Sequence, residues 1–318
     1  MEHLLNISVY DRPEDLAVVT DLKPPLDRYI DGIELLTGFT PVDPALKKRT
    51  VSVHLPYATD FRGIWTGERT VEPGISDTDA RYRHYGRNRT EIVENLRLAM
   101  RMASAMDPVV GVIHGGCSNV KEILRCDYSD KSEDCIVQFC EMMNAVVEGF
   151  PGGEPPFTLV IENTWWPGFR ALDDSDFRLL KKELAFDDWG ICLDTGHLLV
   201  TTQRSTDEAT ALKILNGCVD KYSDEMKSRI YSMHLQLGTS AHLIRNRAEP
   251  DFHTDSDTER INRAYPYIGL MDPHMPFTMP EVRDLVERID PDIVVHELVG
   301  RDLQEQISRH ICQRSHFM

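Results

Sequence analysis

The stretch LVIENTWW, residues 159–166, decides how the rest of the chain is read. Leu159, Val160 and Ile161 suit a buried strand, yet the run ends on a carboxylate, Glu162, followed by Asn163, Thr164 and two tryptophans. Burying an acid costs free energy unless something positive meets it. Runs of the same kind recur along the chain: LLNISVY (4–10), GIELL (32–36), VSVHLPY (51–57), VVGVIHGG (109–116), FTLVIENT (157–164), WGICLDTGH (189–197), RIYSMHLQ (229–236) and DIVVHELVG (292–300). Most lack the polar alternation of a half-exposed sheet. Near-continuous branched apolar residues are what a parallel sheet covered on both faces requires.

Helical patterns separate these runs. Residues 90–106 carry Ile92, Leu96, Ala99 and Ala103 near a 3.6-residue period. Residues 132–150 open on Ser132, an expected N-cap, with acids in the first turn, and residues 174–184 and 279–289 follow the same plan. Eight strands alternating with helices predict a (β/α)8 TIM barrel occupying residues 1–318 as one domain, with an open doubly wound sheet as the alternative. Two long connections, 58–89 after the third strand and 237–278 after the seventh, are expected to rise from the barrel face where substrate sites form. The first carries Arg62, Arg69, Arg81, Arg83, Arg87 and Arg89, forked donors able to hold phosphate or to solvate a loop alongside Glu68, Glu72, Asp77 and Asp79.

Composition narrows the partners. Lys plus Arg is 35 and Asp plus Glu is 52, a formal charge of −17, which disfavours nucleic acid unless positive charge is concentrated locally. Seven cysteines form no CxxC pair, the N-terminus has no basic and then apolar leader pattern, and no stretch approaches a membrane span. The expectation is a cytoplasmic protein that works away from membranes. No GxGxxG, Walker, HExxH or GxSxG pattern is present. Cys117 lies near His114 in the sequence, but a Cys–His nucleophile would leave the other candidate ligands unused.

Glu162 has company at the other strand ends: His54 on the third, His114 on the fourth, Asp194 and His197 on the sixth, His234 on the seventh and Glu297 on the eighth. Each alone reads as an ordinary hydrogen-bonding residue. Six strands delivering imidazoles and carboxylates to one rim point to a divalent metal. Asp272 and His274, in MDPHMPF, add a further pair or simply form a turn with Pro273. Trp165 and Trp166 are expected to wall the site on an apolar face of the substrate, and His242 and His253 are candidates for substrate contact.

HLPY, VIHGG, VIENT, CLDTGH, MHLQ, DPHMPF and HELVG resemble, in order and setting, the xylose isomerase-like TIM-barrel superfamily, which includes sugar isomerases, epimerases and the AP endonucleases of the endonuclease IV type. The resemblance covers roughly residues 50–300, and IENT followed by LDTGH is its most specific part. The endonuclease-like pattern implies metal ligation by His54, His114, Glu162, Asp194, His197, His234, Asp272, His274 and Glu297. The isomerase-like pattern implies one ion on Glu162, Asp194, His234 and Glu297, with Glu162 and Glu297 passing a proton and His197 near the substrate. Zinc or manganese is the expected metal, with cobalt, iron or magnesium as alternatives. Two departures stand against a nuclease: Gln236 and Leu237 occupy the place of an Asn-Asp pair, and Gly115 that of a proline. The leading expectation is therefore an isomerase or epimerase of a small sugar or sugar phosphate working through an enediolate. The alternative is a phosphodiesterase with two or three ions. A barrel that binds metal or a protein partner without catalysis is a third reading.

Overall fold

The computed structural model describes residues 1–246 and 257–318, and His253 lies outside them. Eight parallel strands close into a barrel in sequence order: β1 (Glu2–Ser8), β2 (Gly32–Leu36), β3 (Thr50–His54), β4 (Val110–His114), β5 (Thr158–Glu162), β6 (Trp189–Asp194), β7 (Ile230–His234) and β8 (Ile293–His296). Strand β1 pairs with both β2 and β8, so the sheet has no free edge.

The period-two alternation of the strands sorts the side chains into two shells. Leu4, Val110, Val112, Val160, Cys192, Ile293 and Val295 pack together in the lumen, while the intervening Leu5, Ile113, Leu159, Ile161, Ile191, Met233 and Val294 join the larger core beneath the helices. Each such branched residue, fully buried, contributes about 1.5–3 kcal/mol. Two positions beyond the lumen residues, on the same face, come His114, Glu162, Asp194 and Glu297. The acid at the end of LVIENTWW thus caps an apolar plug.

Several expected boundaries move. Strand β6 stops at Asp194, and Thr195–Thr202 is already helical because the Asp194 carboxylate accepts the backbone N–H of His197 at 2.5 Å and serves as the N-cap. Ser132 is not a cap: the helix Ser132–Val147 begins after Lys131, and no side chain caps it. The last expected amphipathic helix runs from Val282 to Ile289, shorter than residues 279–289. Neither long connection is structureless. The first contains helices Arg62–Thr66 and Asp77–His84, and the second contains Ala241–Asn246 and Asp257–Met271. No helix among the described residues is long and apolar enough to cross a membrane. All seven cysteines are free thiols.

A polar seam locks the barrel closure from outside. Gln313, on helix Leu303–Arg314, accepts the Phe277 N–H and donates to the Leu235 carbonyl and to His296 Nδ1 at 2.8 Å. The proton of His296 therefore sits on Nε2, which donates to His3 Nδ1 at 2.9 Å. His310 donates from Nε2 to the Tyr29 carbonyl, leaving Nδ1 buried without a partner. Burial, with Arg314 and His310 adding, lowers His3 to about 3, and burial lowers His310 to about 4. In the unfolded chain both titrate near pH 6.5. The unfolded state therefore binds more protons from about pH 6.5 down to about pH 4, and stability falls with pH across that window by up to about 1.4 kcal/mol per unit for each histidine. Urea unfolding of metal-free protein at pH 7 and pH 5 should show this loss, reduced in His310→Gln. An equal loss in that variant would remove His310 from the account.

Candidate metal centre

Strand register brings the rim residues to one level: His114 lies beside Glu162, Asp194 beside His234, and Leu36 beside His54. Glu162 is at the middle. Its Oε2 is 3.0 Å from His54 Nε2 and 3.1 Å from His114 Nε2, and its Oε1 is 3.2 Å from His197 Nδ1 and 3.3 Å from His234 Nδ1. Both oxygens are therefore engaged, each by a different pair of imidazoles. His234 Nδ1 also lies 3.1 Å from Glu297 Oε2 and 3.8 Å from Asp194 Oδ2. On the far side, Asp272 Oδ2 is 3.4 Å from His197 Nε2 and 3.6 Å from His274 Nε2, and the latter atom is 3.7 Å from Glu297 Oε1. All nine expected ligands thus converge.

Hydrogen bonds settle which ring nitrogens face inward. The Nδ1 of His54 is 2.7 Å from the Leu55 carbonyl, that of His197 is 2.7 Å from the Asn163 carbonyl, and that of His274 is 2.8 Å from the Asp272 carbonyl. A carbonyl only accepts, so Nδ1 carries the proton and each neutral ring turns the lone pair of Nε2 toward carboxylate oxygen. Acceptor then faces acceptor, an arrangement that an extra proton or a cation between them relieves. Asp272 Oδ1, Glu297 Oε2 and His234 Nδ1 are buried and have no hydrogen-bond partner.

The electrostatics say the same. Burial works against ionisation of Glu162, but His114 and His234 overcome it and hold the carboxyl well below its usual range; His234 and His274 do the same for Glu297. Asp194 is pushed up by burial and by Glu297, Asp272 and Glu162, against the opposing pull of His197. Burial lowers His274, but Asp272 and Glu297 raise it to about 10. The carboxylates and imidazoles thus hold one another charged at close range. These donors suit borderline divalent cations such as zinc, manganese, cobalt or iron. Among the described residues, two donor sets have ligand atoms within 4.8 Å of one another: His54, His114 and Glu162, and Glu162, Asp194, His234 and Glu297.

Residues that carry no obvious signal in the sequence hold this set in place. Asn163 donates to the Asp194 carbonyl at 3.0 Å and accepts the Asp194 N–H at 2.7 Å, tying the ends of β5 and β6 together. Gln236 offers its amide to the Asp194 carboxylate at 3.3 and 3.4 Å; it fits because Gly196 leaves the space, where an added Cβ would meet the Gln236 amide at 2.2 Å. Glu34, an acid inside the apolar run GIELL, is buried with Oε1 2.9 Å from His234 Nε2.

The centre opens into a cavity of about 1130 Å³ walled by both long connections, with Arg62, Arg69 and Arg83 on one side and Asn262, Tyr265 and Ile268 on the other. Trp165 and Trp166 are buried at its edge, 4.8 Å from the His197 ring and 5.4 Å from the His114 ring respectively, and Tyr57 stacks on His114 at 4.9 Å. Glu297, His197 and Asp272 line the cavity. Arg62 is paired with Asp130 at 3.2 Å, Arg69 with Asp60 at 2.7 Å, Arg87 with Asp77 at 2.9 Å and Arg89 with Glu141, while Arg81 lies over the Phe39 ring. The six arginines do not form one cluster. His242 is on the exposed side of helix Ala241–Asn246 and does not line the cavity.

Two solved structures share this architecture. Endonuclease IV from Thermus thermophilus aligns with a TM-score of 0.51 over 100% of this chain and 99% of its own, at 13% identity. The chain shares their closed eight-stranded parallel barrel fold. A D-tagatose 3-epimerase-like protein aligns with the same TM-score of 0.51 over 100% of this chain and 97% of its own, at 14% identity. No protein-family model and no curated protein matches the sequence. At such identities the likeness to both proteins concerns the fold, and the two bear names of different chemistries.

The loops after β4 and β5 set the His114 and tryptophan positions through contact between Gly116 and Gly168. Gly168 has φ of 136°, and an added Cβ would lie 2.3 Å from Gly116 Cα and 2.4 Å from the Gly115 carbonyl. Gly168→Ala should therefore cost about 2–4 kcal/mol. It should also weaken metal binding at His114, measured by thermal unfolding and by metal titration; an unchanged melting temperature would refute the packing argument.

Proposed function

We propose that the chain is a divalent-metal-dependent hydrolase of a small phosphoester, with Glu162 shared between two ion sites. The observation that carries this is the double engagement of Glu162: His54 and His114 meet one oxygen while His234, with Asp194 and Glu297 around it, meets the other. A carboxylate with both oxygens so engaged would serve as a ligand common to both sets and would have none left to act as a base. A single-ion isomerase, moreover, has no use for His54, His114, Asp272 and His274 together.

Divalent ions bound there supply Lewis acidity, polarising a phosphoryl oxygen and acidifying a nearby water. The chain's own residues do the rest. His54, His197 and His274, each held by a backbone carbonyl, present Nε2 without rotational freedom. Glu297 lines the cavity and is partly accessible, its side chain 21% exposed against 1% for Glu162. With Oε2 3.1 Å from His234 and Oε1 3.7 Å from His274 it belongs to the same ligand set, and it is the carboxylate of that set most open to a substrate. Trp165 and Trp166 exclude water from one side of the centre, which strengthens charge interactions within it. The walled cavity favours a compact substrate over a long duplex.

One observation favours the second reading, proton transfer on a sugar: Arg62 and Arg69, which line the cavity, already have acidic partners, and a neutral sugar would not need them. Metal-reconstituted protein should be assayed on p-nitrophenyl phosphate, bis-p-nitrophenyl phosphate and an abasic-site duplex, and on aldoses and ketoses in deuterated water. Hydrolysis of a small ester, lost by at least about 100-fold in Glu297→Gln, is the expected result. Exchange of sugar C–H with solvent and no ester cleavage would overturn it in favour of the isomerase.

A further inference from the structure

Every histidine of the centre except His234 and His114 owes its orientation to a backbone carbonyl. His234 faces a carboxylate instead. Its Nε2 lies 2.9 Å from Glu34 Oε1, while Glu34 Oε2 accepts a 2.6 Å hydrogen bond from Ser52. Glu34 is 3% exposed, projects into the lumen from the middle of β2 and reaches the floor of the cavity beneath His234. The contact is at hydrogen-bond distance, although the N–H is not aligned with the oxygen. A small rotation of the ring, of the kind a ligand on the opposite nitrogen imposes, would align it.

We propose that Glu34 is the positioning residue of His234. Its charge keeps the imidazole proton on Nε2, so that Nδ1 presents its lone pair to Glu162, Glu297 and Asp194, which lie 3.3, 3.1 and 3.8 Å away. A carboxylate behind an imidazole also makes the imidazole a stronger donor than a carbonyl does. That distinction is local. Glu34 backs the set made by Glu162, Asp194, His234 and Glu297, whereas His54 is backed by the Leu55 carbonyl. Burying Glu34 costs free energy that Ser52 alone does not offset, and the His234 contact supplies the remaining reason for an acid at this place. The inference rests on the metal-centre reading and is independent of the reaction assigned to it.

The test is a metal titration of the full chain. Chelator-stripped wild type, Glu34→Gln and His54→Ala are titrated with Co(II) against a chromophoric competitor, and the metal-free melting temperature of each is recorded. His54→Ala identifies the ion of the other donor set. Glu34→Gln should lower affinity for the four-residue ion by about 10- to 100-fold. The ion at His54 and His114 should stay within about twofold, and the metal-free melting temperature should not fall. Equal weakening of both ions, or no weakening, would overturn the assignment. Should Glu34→Gln fail to fold, Ser52→Ala, which keeps the carboxylate and removes its hydrogen bond, should give a smaller loss confined to the same ion; a loss at both would again overturn it. Binding of a single ion by wild type would defeat the shared-Glu162 hydrolase alone, since a selective drop in that ion's affinity would still sustain the role of Glu34.

Discussion

The structure turns on one carboxylate surrounded by imidazoles. Glu162 stands at the top of the apolar lumen with two histidine nitrogens 3.0 and 3.1 Å from one oxygen and two more 3.2 and 3.3 Å from the other. Without the histidines a carboxylate at that depth would be protonated or expelled. With them it is held ionised, and Asp194, Asp272 and Glu297 crowd round the same rings. A cation is the simplest way to complete such a set.

The scaffold itself fixes the members of that set. Parallel strands fix the level of each ligand through register, and backbone carbonyls fix the faces of His54, His197 and His274. The ends of β5 and β6 are tied by Asn163, and Gln236 steadies Asp194 from the end of β7. Such preorganisation matters because a centre held before it is loaded loses little to rearrangement when it works. The two long connections then decide what reaches it, by walling a cavity sized for a small molecule.

Much of this was legible in the sequence, for physical reasons. Near-continuous apolar runs separated by helical periods leave few architectures other than a covered parallel barrel, and a period of two places every terminal acid or imidazole on the lumen face once one is placed. Less legible was anything that depends on where the backbone turns. LDTGH reads as strand until Asp194 is seen to cap the helix that carries His197. The loop arginines read either as a phosphate clamp or as a solvated loop offset by its own acids. The pairs that form are Arg87 with Asp77 of that loop and Arg62, Arg69 and Arg89 with Asp130, Asp60 and Glu141, which the sequence does not single out. Glu34 was hidden for the opposite reason. Its run looks like any buried strand, and only the approach of His234 from across the lumen gives the acid a purpose.

The central claim is that Glu162 bridges two ion sites. Its most direct test is the number of divalent ions per chain in protein purified without added metal or chelator, measured by elemental analysis together with the loss on replacing Glu162 by alanine. Two or more ions per wild-type chain, with at least two lost together in Glu162→Ala, is the predicted result. One ion per chain, or loss of only one in the variant, would contradict the bridge and return the centre to single-ion chemistry.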